Sequence, residues 1–263
     1  SQAGGVWYVN GDDLYGLSDE ESTITIPVKS DYDYTVDMPA WITGEKVKEG
    51  YNFTLTENTT GNARKGTVIF KSQKGTKEIT FVQFGVNDIA GTYEATYSTF
   101  GEGDDWVSET VKIELLQDEE NEAVFYADGL SSIRGVVLPL KFDGETYQLS
   151  ALNGQYLGFI ESQKWYLYTI VRSEAGYVHA DTSLFYPAIA ELDVDDEELM
   201  PFFPFKDKKG FSFTGETGTI KSFIDAIGVY VFASKSPTFG NNNNLGYYDI
   251  FKGLSIKKIK ADH

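Results

Sequence analysis

Polar and apolar residues alternate with a period of two along much of this chain, a pattern that suits a strand wet on one face and buried on the other. Residues 23–28 (Thr-Ile-Thr-Ile-Pro-Val) and 51–56 (Tyr-Asn-Phe-Thr-Leu-Thr) show it most cleanly, and residues 67–70 and 78–82 are strand-like runs. Nine more runs follow, at residues 92–96, 109–116, 123–126, 136–142, 146–149, 165–171, 210–213, 229–232 and 248–259. The chain has 17 Tyr and 18 Phe but only two Met, and aromatic rings fit a pleated, half-buried surface. An all-β protein is expected.

At 263 residues the chain suits two domains. Turn residues at Asp31, Gly50, Asn58 to Asn62 and Lys74-Gly75 punctuate the first part at the spacing of a β-sandwich. Pro27, which has no N–H to donate, places its strand at an edge or a bulge. The polar segment Gly85, Val86, Asn87, Asp88 separates a first domain, 1–86, from a second, 89–263. Nine runs in the second domain predict a meander closed into a barrel, since closure removes exposed edges; a second sandwich is the alternative. Ile220, Phe223, Ile224 and Ile227 recur at helical spacing and predict a short helix ended by Gly228, while the acidic residues 192–200 are expected to cover one barrel mouth.

Several segments of the first domain match a family in order and spacing: Trp41-Ile42-Thr43, Phe53-Thr54-Leu55-Thr56, Asn58-Thr59-Thr60, Arg64-Lys65-Gly66-Thr67-Val68 and Ile79-Thr80-Phe81-Val82-Gln83-Phe84-Gly85. They resemble the BACON domain of Bacteroidetes proteins. Where that family carries a second Trp before Trp41, this chain has Tyr32 and Tyr34. The resemblance implies an immunoglobulin-like β-sandwich, placed N-terminally in exported proteins and linked to carbohydrate or mucin binding. It also implies the cell surface or periplasm, as an outer-membrane lipoprotein with a lipid-accepting Cys upstream of Ser1. Gly91-Thr92-Tyr93 resembles the Gly-x-aromatic start of calycin and lipocalin barrels.

The net charge of −18 argues against nucleic acid and anionic lipid headgroups as partners. Both parts are acidic: residues 1–88 carry 13 acidic against 8 basic side chains, and residues 89–263 carry 27 against 14. Zero cysteines exclude disulfides, thiol nucleophiles and thiolate metal sites. No apolar run approaches the ~20 residues that span a bilayer. The histidines are His179 and His263, no Gly-x-Ser-x-Gly elbow accompanies them, and neither a phosphate loop nor a dinucleotide fingerprint occurs. Residues 193–198 (Asp-Val-Asp-Asp-Glu-Glu) lack the EF-hand Gly and Glu positions and read as a solvated acidic face before a calcium site. No catalytic residue, metal or cofactor is expected.

Binding residues are sought instead among aromatics at loop–strand junctions, because sugars present apolar C–H faces to rings. Trp106 follows Gly101-Glu102-Gly103-Asp104-Asp105, and Tyr247-Tyr248 follows four consecutive Asn residues, 241–244. Trp165, in mid-strand, is the fourth candidate. The competing role is rings that cap a barrel end. Trp41 is expected in the core of the first domain. These features lead to a non-catalytic surface or periplasmic protein that binds glycan or supports a glycan-handling complex. A structural spacer without ligand is the alternative and a polysaccharide hydrolase the third reading.

Overall fold

The structure, a computed structural model, describes residues 4–176, 178–194, 199–206, 211–215 and 218–260, without the side chains of 179 and 211–221. Two compact units emerge: Ser1–Ile89 with Asp193–Leu199, and Ala90–Leu192 with Met200–His263. Almost all described secondary structure is β-strand, and among the described residues no helix is long and apolar enough to cross a membrane.

The first unit has eight strands: β1 (Trp7–Val9), β2 (Leu14–Leu17), β3 (Ser22–Ser30), β4 (Tyr34–Asp37), β5 (Ile42–Val47), β6 (Gly50–Leu55), β7 (Arg64–Ser72) and β8 (Gly75–Gln83). They form two sheets, ordered β1-β3-β6-β5 and β2-β8-β7-β4. Alternation sets which residues face inward. Ile26, Phe53 and Leu55 from one sheet meet Val68, Phe70, Ile79 and Phe81 from the other in a single buried core. Phe53 stands edge-on to Phe70, centroids 5.8 Å apart at 88°, and each such buried side chain stabilises the sandwich by about 1.5–3 kcal/mol. Leu199 bridges Ala63 beside this unit's β7.

Pro27 lies within β3, which has β1 on one side and β6 on the other. Ile26 and Val28 turn their backbone toward β6, where Val28 N donates to Glu49 O. Pro27 therefore turns its nitrogen the other way, to the side where β1 stops. Asn10 N donates to Pro27 O at 2.9 Å, and no return bond is possible. So β3 pairs with β6 over residues 22–27 and with β1 over residues 28–30, and the proline sits at the changeover.

The second unit opens with β9 (Gly91–Phe100), β10 (Trp106–Gln117), β11 (Val124–Asp128), β12 (Leu138–Asp143), β13 (Gln148–Leu152), β14 (Tyr156–Ile160) and β15 (Trp165–Ser173). It continues through β16 (Val178–His179), β17 (Phe185–Ile189), β18 (Glu191–Leu192), β19 (Pro201–Pro204), β20 (Phe211–Gly215) and β21 (Gly218–Ser222) to β22 (Ile224–Phe232) and β23 (Asn244–Lys258). The main path is antiparallel, β14-β15-β22-β23-β9-β10-β11-β12-β13-β17. The first strand of the meander, β9, thus pairs with the last, β23, and the sheet curls into a barrel.

The one corner of this meander without a strand ladder lies between β13 and β14, which follow each other along the chain, and it is stitched by side chains. Thr169 Oγ1 donates to Leu152 O (2.6 Å) and accepts from Gln155 N (2.9 Å). The buried Asn153 accepts from Val171 N (2.8 Å) and donates to Asp181 O (2.7 Å). Between β15 and β22 the chain makes an excursion whose strands fill free edges. There β17 pairs with β13, β19 pairs with β23, and Ala188 bridges Phe205. Inward positions carry Tyr93, Ile113, Leu115, Phe125, Leu140, Leu149 and Phe251, all buried.

One expectation changes. The helix at residues 220–227 is absent: β21 ends at Ser222, Phe223 is exposed, and β22 begins at Ile224. β22 is buried on nearly every residue, so its continuous apolar run hides the period of two, and a register shift at Arg172/Ser173 breaks the spacing further. Strands β14 and β17 carry no sequence expectation, being short, aromatic and, in β17, interrupted by Pro187. Of the acidic residues 192–200, 195–198 lie outside the described residues.

Candidate binding surface

The β9–β10 hairpin is closed by residues 101–105, with Gly103 at φ 64° and Gly101 N donating to Asp105 O (2.9 Å). That turn makes Phe100 and Trp106 direct cross-strand partners. Their rings lie 4.9 Å apart at 40°, a pairing typical of facing aromatics on one side of a sheet. The side is the barrel's outer one, since Tyr93 and Ile113, on the opposite parity of the same strands, are buried inside.

Register carries the site across the outer wall. Ser108 faces Ser98, Ser98 faces Lys252, Lys252 faces Ala226, and Ala226 faces Arg172. Ala226 between the two cations, with Ser98 and Ser108 beyond Lys252, leaves a low stretch over which both reach the rings. Arg172 Cζ is 5.3 Å from the Trp106 ring centre and 5.4 Å from that of Phe100, and Lys252 Nζ is 4.6 Å from Trp106. Lys252 Nζ also lies 3.9 Å from Asp225 Oδ2. Burial pushes the Asp225 carboxyl up, against the opposing pull of Lys252 and Arg172. Phe100 is 50% exposed, so the platform is open to solvent.

Tyr247 forms the wall of this site. Its hydroxyl donates to Ile170 O at 3.0 Å, its ring stands edge-on to Tyr230 at 4.8 Å, and Phe100 is 6.4 Å away. Gly228 makes that position possible, because a Cβ there would lie 2.8 Å from Tyr247 Cδ1 and 2.2 Å from Asp249 O. Buried around its phenol, Tyr247 titrates well above the ordinary tyrosine value. Behind it Tyr168, Ile170, Tyr230 and Phe232 form a buried cluster on the outer wall, and Phe239 packs on Tyr230 at 5.3 Å and on Phe232 at 5.5 Å.

The four candidates from sequence therefore separate into two pairs. Trp106 and Tyr247 share the outer wall through Phe100. Trp165 and Tyr248 meet each other, 6.1 Å apart and edge-on, on the side shared by the buried Leu167 and Val231, which lines the barrel. Tyr248 is 48% exposed there. Trp41, expected in the core, is half-buried against it: Arg64 covers one side of its ring, and a Cβ on Gly66 would come within 2.5 Å. His179 contributes backbone to β16, and its side chain, His263 and residues 195–198 lie outside the described residues. Among the described residues no group of three or more His, Asp or Glu side chains is placed to hold a metal.

Phe100, Arg172 and Lys252 carry no expectation from sequence. Phe100 was within reach, since Phe-(five residues)-Trp around a Gly-rich turn is the pattern of an aromatic hairpin pair. The cations were not, because β15, β22 and β23 must be placed side by side before they meet Trp106.

No family model, curated protein or solved structure matches the chain.

Proposed function

We propose that this protein is a non-catalytic saccharide-binding protein whose ligand stacks on the outer wall of the barrel, on Phe100 and Trp106 with Tyr247 beside them. The observation that carries this reading is the Phe100–Trp106 pair, its Phe exposed and its Trp half-buried, held by a hairpin and bordered by cations. A sugar ring offers C–H groups to such rings and hydroxyls to such cations. An exported setting, at the surface or in the periplasm of a bacterium, draws its support from the BACON resemblance of the first domain. The test is titration of the whole chain against a panel of host and plant glycans. A saturable hit that loses about tenfold in affinity in Trp106→Ala, or about 1.4 kcal/mol, supports the reading. Unchanged affinity in both Trp106→Ala and Phe100→Ala overturns this location, and an empty panel favours a spacer.

A further inference from the structure

Two cations converge on one indole in a chain whose net charge is −18. Like charges brought together repel, and proteins ordinarily neutralise them with carboxylates or use up their N–H groups on carbonyls. Here the neutralisation is partial, through the single carboxylate of Asp225, which pairs with Lys252 and also acts on Arg172. None of the guanidinium N–H groups of Arg172 donates to a described residue; it lies over the faces of Phe100 and Trp106, beside Gly176, and acts on Asp225 and Tyr247 through charge alone. Among the described residues, Lys252 meets Asp225 at 3.9 Å, beyond hydrogen-bond distance, and the face of Trp106. Other charges close to the site are Glu174, which acts on Asp225, and the exposed Asp104 and Asp105 of the hairpin turn.

From this geometry we infer that the ligand of the platform is an acidic saccharide, its ring along Phe100 and Trp106 and its carboxylate or sulfate ester between Arg172 and Lys252. The inference rests on the saccharide reading and narrows it. A planar guanidinium and an ammonium set on either side of Ala226 offer charge-assisted hydrogen bonds to an anionic group, and the short Ala226 side chain leaves room beneath it. Asp225 then acts as a brake: protonating it removes the one carboxylate beside Lys252.

Calorimetry on the whole chain with a neutral oligosaccharide, its uronic-acid counterpart and its sulfated counterpart tests this. Acidic forms are expected to bind at least about tenfold tighter than the neutral one. Arg172→Met with Lys252→Met should abolish that difference by weakening the acidic forms far more than the neutral sugar, and added salt should weaken the acidic forms alone. Asp225→Asn should tighten the sulfated form, whose charge does not titrate in this range. Equal affinity for neutral and acidic forms, both reduced in Trp106→Ala, overturns the anionic ligand and keeps the saccharide. Acidic binding that survives Trp106→Ala and is matched by inorganic sulfate overturns the saccharide and leaves a plain anion site. Tighter binding of the uronate than of the sulfate ester, or the reverse, identifies which anionic group fits.

Discussion

Each unit of this protein places an arginine over a tryptophan, and the two pairs are built differently. In the sandwich Arg64 lies 4.1 Å from the Trp41 ring centre, and its guanidinium is spent on the protein. Nε donates to Gln83 Oε1 at 2.7 Å, and Nη2 donates to Thr56 O at 3.0 Å and Glu57 O at 3.2 Å. Gln83, itself buried, donates in turn to Thr56 O. In the barrel Arg172 sits over Trp106 without such anchors among the described residues. A cation on a ring is thus structural where its donors are consumed and available to a ligand where they are not. The distinction lies in hydrogen bonds, since the ring contact is common to both.

Substitutions can break that contrast, and the largest effect is expected in the sandwich. Trp41→Ala should cost about 3 kcal/mol of first-unit stability, at the low end of the range for large aromatic truncations because the ring is half-buried. A thermal melt reporting less than about 1 kcal/mol would make Trp41 a surface residue after all. Arg64→Met keeps some packing but strands Gln83 Oε1 and the Glu57 carbonyl and leaves Thr56 O with Gln83 alone, with an expected loss of about 2 kcal/mol in denaturant melts. The matching Arg172→Met should stay within about 0.5 kcal/mol, as for surface positions without anchored bonds. Equal losses from the two arginine substitutions would erase the contrast.

The smallest effect is one of pH. Asp225 has its folded pKa raised by burial, so the stability tied to its protonated form is complete below the ordinary aspartate value of 3.8 and is lost as pH rises through the folded value. Asp225→Asn should therefore stabilise the barrel by less than about 1 kcal/mol at neutral pH, a figure reduced for solvent screening, and by nothing in acid. Melts of both proteins across that range check it, and a variant that is less stable at neutral pH would show that the Lys252 pairing outweighs burial.

Strand content was readable because most strands here are wet on one face, and alternation survives wherever that holds, as in β3 and β6. It fails where the outer wall is itself covered. β22 lies under Tyr247 on one side and over the barrel interior on the other, so Ile224 and Ile227 lose their polar partners and mimic a helix. The site divides along the same line. Trp106 is legible as an aromatic beside a Gly-rich turn, whereas Tyr247 and Tyr248 look alike in sequence and differ only because adjacent strand residues face opposite sides. Arg172 and Lys252 could not be joined to Trp106 without the register of five strands.

The pairing of β9 with β23 also sets an order of events in time. Thr96 Oγ1 and Ser255 Oγ sit 2.7 Å apart across 159 residues of chain, so the ring cannot close until nearly the whole second unit has been synthesised. The eight strands of the sandwich are all in hand by Gln83. A nascent chain halted before residue 244 would carry a sandwich with every strand present beside an open sheet, and for that interval β9 would offer an unpaired edge to other chains.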